Sequence, residues 1–202
     1  MIPDKLYRGD SDKCNCRKLR EYINKGMLFT NLISGGTGKI IFTAPLIELV
    51  KMHINNSGGW KSHFLSFTEK EKKAFDFGAY GFQGEHESYF EEDNNWDFAI
   101  LIFTTSRLKS RELIEKGVYE CTYDSSFCEF ENGCRILLID TVEYLIANSH
   151  LNINSELKNA QKDEEWLLLP TNSKLFNNGV VEYSAKVDMS NIIDFTRYKM
   201  IK

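Results

Sequence analysis

The sequence predicts a single domain of the α+β class, with strands predominating in its second half. Its 202 residues are the usual length of one domain, with or without a sizeable insertion. An apolar share of 42% is enough to fill a core, so the chain is neither disordered nor fibrous. Alternating or fully apolar runs are interspersed with helical patterns, without internal repeats or a convincing linker.

The first half of the chain alternates strand and helix patterns. The segment 44–55 carries an apolar stripe at helical spacing, formed by Leu46, Leu49, Val50 and His53. The expected elements are a strand at 6–10, a helix from 11 to about 25, a helix at 44–55, a strand at 63–68 and a helix at 69–81.

The second half is expected to consist mainly of strands and loops. The acid-rich segment 84–97 and the asparagine-rich segment 148–163 have little periodicity, which predicts exposed loops. The segment 112–133 is expected to be partly helical and partly turns. Four apolar or alternating runs predict strands, the third of them stopped by a proline: 97–105, 135–140, 165–170 and 180–189.

Charge and the amino-terminal pattern limit the partners. The net charge of −4 gives no overall attraction to nucleic acid or to an anionic membrane. Binding of that kind needs a local basic patch, for which 13–20 and 69–73 are candidates, although solvated helix faces also explain them. The start MIPDKLYRGD lacks a signal-peptide pattern, and every apolar run is shorter than the roughly 20 residues of a membrane helix. We therefore expect a cytoplasmic protein with no membrane partner.

Two ligand motifs fail on spacing. The glycine-rich segment SGGTGK lacks the Gly and the Ser or Thr that a phosphate-binding loop needs, because Ile33 and Ile40 occupy those places. A zinc site needs paired Cys-x-x-Cys spacing, which the five cysteines do not have: Cys14, Cys16, Cys121, Cys128 and Cys134. A flexible turn and scattered reduced thiols are the better interpretations, and no metal is expected.

Residues able to do chemistry stand on three predicted strands. Arg8 ends the first strand, and a guanidinium can bind two oxygens of a phosphate or pyrophosphate together. Ser66 and Thr68 share one face of the second strand, because side chains alternate along it, and a serine can fix the direction of a carboxylate. Asp163 and Glu165 would share one face of an extended segment beside an apolar run. A carboxylate aimed at an anomeric carbon stabilises an oxocarbenium-like transition state.

The order of these motifs resembles the R-S-E class of mono-ADP-ribosyltransferase toxins, of the cholera, heat-labile enterotoxin, pertussis and scabin or pierisin type. DKLYRGDS at 4–11 is similar to the arginine strand, and GGWKSHFLSFT at 58–68 to the approach and strand of the serine. DFAILIF at 97–103 is similar to a buried core strand, and DEEWLLLP at 163–170 to the loop and strand of the glutamate. The resemblance implies two small, mostly antiparallel sheets that form an NAD cleft surrounded by helices. Residues 1–202 would form one such domain, with a longer insertion around 106–160.

The resemblance also implies the catalytic residues. Glu165 would hold the nicotinamide-ribose hydroxyl and stabilise the cation, while Arg8 would brace the site and Ser66 would open the strand motif. Asp163 stands two residues before the glutamate, where the class usually has Glu or Gln. Repulsion between the two acids would raise the pKa of one of them, so Asp163 is a candidate base for the incoming nucleophile.

The implied NAD-binding set overlaps with the catalytic one. Phe67 and Thr68 depart from the Thr-Ser that usually follows the class serine. His53 is similar to a histidine near the active site of the enterotoxin branch. The complete set is Arg8, Gly9, Ser66, Phe67, Thr68 and His53.

The implied function is transfer of ADP-ribose from NAD to a macromolecule, with release of nicotinamide and without a metal. NAD is the substrate, and a nucleic-acid base (RNA or DNA) is slightly favoured over a protein side chain as acceptor, because the arginine strand is shared with the guanine-modifying branch. An intracellular toxin of a phage-defence toxin–antitoxin system, restrained by an antitoxin or inhibitor protein, fits this pattern. Two alternatives stay open: an NAD glycohydrolase, and a binding module of the same fold that has lost catalysis.

Overall fold

The computed structural model is an α+β structure, as the sequence predicts. It describes residues 1–11, 27–29, 39–42, 45–55, 62, 64–79, 90–94, 96–124, 134–171, 181–184, 186–188 and 193–200. The helices are α1 (Leu46–Asn55), α2 (Glu71–Ala79), α3 (Thr141–Ala147) and α4 (Asn154–Asp163). Among these described helices, none is long and apolar enough to cross a membrane.

The described parts of the chain also contain thirteen strands. Up to residue 104 they are β1 (Lys5–Ser11), β2 (Met27–Phe29), β3 (Lys39–Phe42), β4 (Leu65–Thr68), β5 (Phe90–Glu92) and β6 (Phe98–Thr104). After it they are β7 (Lys109–Glu112), β8 (Val118–Tyr123), β9 (Cys134–Asp140), β10 (Glu165–Thr171), β11 (Val181–Ser184), β12 (Lys186–Asp188) and β13 (Ile193–Met200).

One large antiparallel sheet contains the arginine, serine and glutamate strands. Its strand order is β5-β13-β6-β1-β4-β10-β9-β8-β7, with β11 joining β3 to β10, while β2 and β12 pair separately. The expectation of two small sheets facing each other across a cleft is therefore wrong. The reason is that Thr68 of β4 pairs with Tyr7 of β1 and with Glu165 of β10, so the three strands are direct neighbours in one sheet.

The position of β10 explains its uninterrupted apolar sequence. Strand side chains alternate between the two faces of a sheet, and both faces are covered here. Trp166 and Leu168 pack into the core cluster on one face, whereas Leu167 and Leu169 pack on the other face with the apolar stripe of α1. Glu165 shares the face of Leu167, so its carboxylate lies on the side of the sheet where α1 packs.

Helix α2 packs directly onto β1 at Gly9. A Cβ at this position would lie 1.7 Å from the carbonyl oxygen of Ala74 and 2.5 Å from the backbone nitrogen of Gly78. A glycine is required here because any side chain would push the two backbones apart. Ala74 and Phe75 also join the apolar cluster between α2 and the sheet, so α2 fixes the strand that carries Arg8.

Most elements predicted in the first half of the chain are confirmed. The helices at 44–55 and 69–81 form, and so do the strands at 6–10 and 63–68 within small shifts of their ends. The stripe of α1 is buried, His53 included. The expected helix from 11 to about 25 and the SGGTGK loop lie outside the described residues, except for their end residues Ser11 and Lys39, which belong to strands.

Several expectations for the second half are wrong. Residues 154–163 form α4 rather than a loop, because Leu157 and Ala160 pack on the core and the buried carboxylate of Glu156 is bonded to Asn55 of α1. Within the segment 112–133 the expected turn forms at 113–117, but residues 118–123 are a strand rather than a helix, since β8 pairs with both β7 and β9. Phe90–Glu92 is a strand because it pairs with β13, an element that the sequence did not predict.

Two further corrections concern strand ends. The strand at 165–170 does not stop at Pro170 but continues to Thr171, whose partner is Tyr183 of β11. The run 180–189 is divided between β11 in the large sheet and β12 in the small one. The strands at 97–105 and 135–140 are confirmed. The region 106–160 supplies β8 and β9 to the large sheet, and it supplies α3 and α4 to the face on which α1 packs. The region is therefore built into the core.

Candidate active site

His53 connects the serine strand to the glutamate strand. Its Nε2 atom lies 2.8 Å from Ser66 Oγ and 3.2 Å from Glu165 Oε1. Its Nδ1 atom lies 2.5 Å from Ser62 Oγ, so both ring nitrogens have partners. The apolar stripe of α1 places the ring at this point, because His53 lies on the helix face that packs against the sheet.

Glu165 stands where solvent meets the core. As the first residue of β10 it is the last polar position before the buried run, and its side chain keeps 16% of its exposure. A carboxylate that is largely surrounded by protein exerts a stronger field than one in water, and the remaining opening lets a ligand reach it.

Arg8 is attached to the same serine through the backbone. Its NH1 group donates a hydrogen bond of 2.8 Å to the carbonyl oxygen of Ser66. Its Nε and NH2 groups face Asp10 Oδ2, each at 3.2 Å, and both side chains are almost fully buried. Breaking a buried pair of this kind leaves an uncompensated charge, so Asp10 holds the guanidinium in one place.

The arginine lies where β1 and β4 separate. The two strands share one register pair, Tyr7 with Thr68. An uninterrupted antiparallel ladder would next place Gly9 opposite Ser66, but the guanidinium of Arg8 takes the Ser66 carbonyl instead. A guanidinium has five N–H donors, so donors remain beyond those used by Asp10 and Ser66.

Three residues of the expected NAD-binding set have structural roles. Gly9 is in contact with the backbone of α2, as described above. Phe67 is buried in the core against Phe103, with ring centroids 5.5 Å apart. Thr68 is buried, and its hydroxyl donates to the carbonyl oxygen of Asp163 and accepts from the Lys70 amide. Thr68 therefore ties the residue that ends α4 to the serine strand.

The expectation that Asp163 and Glu165 face one side of an extended segment is wrong. Asp163 is the last residue of α4, and Glu164 adopts a left-handed conformation with φ 47° and ψ 48°. The chain therefore turns between the two acids. The carboxylate of Asp163 lies 3.2 Å from Lys73 Nζ, and that of Glu164 lies 3.6 Å from Lys70 Nζ.

The sequence did not predict the role of Ser62. It precedes the serine strand in a segment without periodicity, and its partner His53 lies on a helix, so neither strand nor helix spacing relates them. A second contact that spacing did not indicate is the hydrogen bond of 2.9 Å from Asn55 Nδ2 to Glu156 Oε1. It joins the end of the histidine helix α1 to α4, which leads into Glu165.

The cysteine side chain that the structure describes, Cys121, has the carbonyl oxygen of Tyr119 as its hydrogen-bond partner. Cys121 is buried in the core, and burial raises the pKa of its thiol to about 12. Cys14, Cys16 and Cys128 lie outside the described residues. Within the described ranges, no group of three or more His, Cys, Asp or Glu side chains is arranged to hold a metal ion.

Comparison of the chain with models of known protein families, with curated proteins and with solved structures finds no match. The resemblance to the R-S-E class consequently rests on the residues of this chain alone. One fold can carry many different activities in proteins, so the geometry of the site indicates the function.

The geometry brings together four of the residues that the sequence singled out. Arg8, Ser66, His53 and Glu165 are joined by direct hydrogen bonds across three adjacent strands and one helix. The set offers a cationic anchor, a fixed carboxylate and a histidine that orients it. Such a set suits a substrate with an anionic part and a centre at which positive charge develops.

Proposed function

We propose that the protein is a mono-ADP-ribosyltransferase that uses NAD as substrate. The observation that carries this proposal is the contact of His53 Nε2 with both Ser66 Oγ and Glu165 Oε1, next to an arginine bonded to the same serine. The three class residues of the resemblance are far apart in the chain. Their meeting in one hydrogen-bonded set supports a common site.

The reaction needs one fixed negative charge. The bond between C1′ of the ribose and the nicotinamide nitrogen breaks, and its electron pair leaves with neutral nicotinamide. C1′ becomes cationic in the transition state, and the Glu165 carboxylate opposes that charge. A nucleophile then bonds to C1′, and its proton passes to solvent water. The hydrogen bond from His53 fixes the direction of the carboxylate.

Arg8 suits the anionic part of the substrate. Its guanidinium is fixed by Asp10 and by the Ser66 carbonyl, and it retains further N–H donors. A planar donor fork matches two phosphate oxygens. In this proposal Arg8 holds the pyrophosphate of NAD, and its link to Ser66 sets the distance between the phosphates and the carboxylate.

The proposed acceptor is a macromolecule, RNA, DNA or protein. Lys70 and Lys73, which the sequence offers as part of a basic approach for nucleic acid, face the carboxylates of Glu164 and Asp163. Surface ion pairs of this kind balance local charge, so they add little attraction for phosphates. A nucleic-acid acceptor would reveal itself by binding that weakens steeply with salt, because phosphate contacts release counterions. As a toxin, the protein would also need an antitoxin or inhibitor partner.

A second candidate function is NAD glycohydrolysis, in which water attacks C1′. The observation that favours it is the position of Asp163, which ends α4 and is paired with Lys73 instead of standing beside Glu165. An incoming macromolecular nucleophile would then lack that base. Asp163→Asn distinguishes the two reactions, because it should lower transfer but spare NAD hydrolysis if Asp163 serves a macromolecular acceptor, and should leave NAD consumption unchanged if water is the acceptor.

The deciding experiment incubates the purified protein with NAD labelled in its adenylate half. Total cellular RNA with DNA is one acceptor mixture and cell-extract protein is the other. Glu165→Gln should lower the rate of NAD consumption at least about a hundredfold, since removal of one charge-stabilising group typically costs about 3 kcal/mol or more. Glu164→Gln is the matched control, the same change one residue away, and should retain nearly full activity.

Each result has a definite meaning. Label in one acceptor mixture that is lost with Glu165→Gln supports the transferase and identifies its acceptor class. Formation of free ADP-ribose alone favours the glycohydrolase. NAD left intact by the folded wild-type protein refutes both and leaves the binding module. Equal losses with Glu165→Gln and Glu164→Gln would also refute the assigned role of Glu165.

A further inference from the structure

Ser62 is the buried partner of His53 on the side of the ring that faces away from Glu165. It is 5% exposed, and its Oγ atom lies 2.5 Å from His53 Nδ1. The same oxygen accepts a hydrogen bond of 3.1 Å from the Phe64 amide. Ser62 is therefore held by the backbone that leads into β4.

The partners at Nε2 decide which ring nitrogen carries the proton of a neutral histidine. An ionised carboxylate has lone pairs only, so the 3.2 Å contact between Nε2 and Glu165 Oε1 is attractive when Nε2 carries a proton. In the other neutral tautomer two lone pairs would face each other. Nδ1 of the favoured tautomer is then an acceptor and requires a donor.

Ser62 can supply that donor. Its oxygen already accepts from Phe64 N–H, and its own hydroxyl proton is free to point at Nδ1. The complete chain of donors runs from the Phe64 amide to Ser62, from Ser62 to His53, and from His53 to Glu165. Each bond in this chain has one donor and one acceptor, and the Nε2 proton is shared between Glu165 Oε1 at 3.2 Å and Ser66 Oγ at 2.8 Å.

We propose that Ser62 is a positioning residue that fixes His53 in the tautomer with the proton on Nε2. Fixing the tautomer keeps a hydrogen-bond donor aimed at Glu165 and at Ser66 Oγ, which lies 2.8 Å from Nε2. Ser66 then accepts from His53, and its hydroxyl proton remains available to a ligand or to Glu165. This consequence for a reaction rests on the proposed function, but the tautomer itself does not.

The tautomer is measured without any substrate. Ring nitrogen shifts of ¹⁵N-labelled protein separate a protonated from an unprotonated imidazole nitrogen, and the spectrum of His53→Gln identifies the signals of this ring. The spectra are recorded at a pH at which the ring is neutral. The pH dependence of the shifts of the ring's own carbon-bound protons establishes that pH. We expect an unprotonated Nδ1 and a protonated Nε2 in the wild type. A protonated Nδ1 in the neutral wild-type ring would overturn the proposal, and that result needs no variant.

Variants test the role of Ser62. Ser62→Ala should shift the ring toward a mixture of tautomers, and Ser62→Thr, which keeps the hydroxyl, should restore the wild-type pattern. Ser110→Ala, on the exposed strand β7, is the control for an equivalent change elsewhere. A single Nε2-protonated tautomer retained in folded Ser62→Ala would show that Glu165 alone sets the ring, and would refute the role of Ser62.

Kinetics then separate this inference from the proposed function. If NAD is consumed, Ser62→Ala should lower kcat about two- to tenfold, the effect of one neutral hydrogen bond, with little change in KM for NAD. A raised KM with unchanged kcat would contradict a role through His53 and Glu165. If the wild type leaves NAD intact while the spectra show the expected tautomer, the proposed function fails and the role of Ser62 stands.

Discussion

Gly9→Ala tests whether Gly9 is required by packing or by a ligand. The added Cβ would lie 1.7 Å from the carbonyl oxygen of Ala74 and 2.5 Å from the nitrogen of Gly78, whereas real Cβ contacts essentially never fall below 3.0 Å. Both atoms belong to the backbone of α2, so no side chain can rotate away. The helix itself has to move off β1.

The expected cost follows from this geometry. Overpacking a core typically costs about 1–3 kcal/mol, and a clash with helix backbone belongs at the upper end of that range. We expect Gly9→Ala to lose about 3 kcal/mol, which lowers the Tm of a chain of this length by roughly 6 to 12 °C. Gly78→Ala is the companion variant, because its Cβ would meet the ring of Phe98 at 2.6 Å and a side chain can yield more easily.

The assay is urea unfolding followed by circular dichroism, with the NAD dependence of any activity measured in parallel. A packing role predicts a lower urea midpoint for Gly9→Ala than for Gly78→Ala, with both below the wild type. A loss of stability below about 1 kcal/mol would refute the packing argument. An unchanged midpoint together with a higher KM for NAD would show instead that Gly9 approaches the substrate, as the sequence resemblance implied.

Two further predictions concern buried titratable groups. The hydrogen bond from Asn55, with a smaller one from Ser155, holds the pKa of Glu156 below its usual range. Ionised Glu156 therefore stabilises the fold above the ordinary pKa of a glutamate, and this contribution is lost as the pH falls through the lowered pKa. Glu156→Gln should be less stable than the wild type at neutral pH by about 1 kcal/mol, and the urea midpoints should converge as the pH falls through the lowered pKa; a constant difference would contradict this. Cys121, whose pKa is raised to about 12 from 9.0, should be alkylated by iodoacetamide at pH 8 about 1,000-fold more slowly in the native state than in urea. Peptide mapping measures the rate, and comparable rates would show that the thiol is accessible.

The strand positions of three candidate residues were more predictable from the sequence than the order of the strands. Arg8, Ser66 and Glu165 each occupy a strand position, and the period of two fixes which face of its strand each one uses. Sheet order is different, because it depends on which strands pair over long distances in the chain. The segment of β13 carries no strong strand pattern. Its pairing with β5 on one side and with β6 on the other could therefore not be predicted.

Helix α4 shows how composition can conceal periodicity. Ile153, Leu157 and Ala160 have helical spacing and all contact the core. The surrounding Asn, Lys and Glu residues give the segment the composition of a loop. The missed helix also made the expected position of Asp163 wrong. A loop can continue as an extended chain into β10, whereas a helix has to end in a turn before the strand begins. Ser62 was missed for a different reason, since its contact with His53 crosses from an irregular segment to a helix.

The turn from α4 into β10 explains why three consecutive acids stand against a buried strand. The last helical residue, the left-handed residue and the first strand residue point in different directions, so Asp163 meets Lys73, Glu164 meets Lys70 and Glu165 meets His53. Two of the acids have cationic partners at the surface. Of the three, Glu165 is directed inward, against the ring of His53. In its neutral form this ring donates a hydrogen bond but carries no full positive charge. That difference leaves one negative charge at the partly exposed start of β10, the kind of charge that the proposed stabilisation of a cationic ribosyl centre requires.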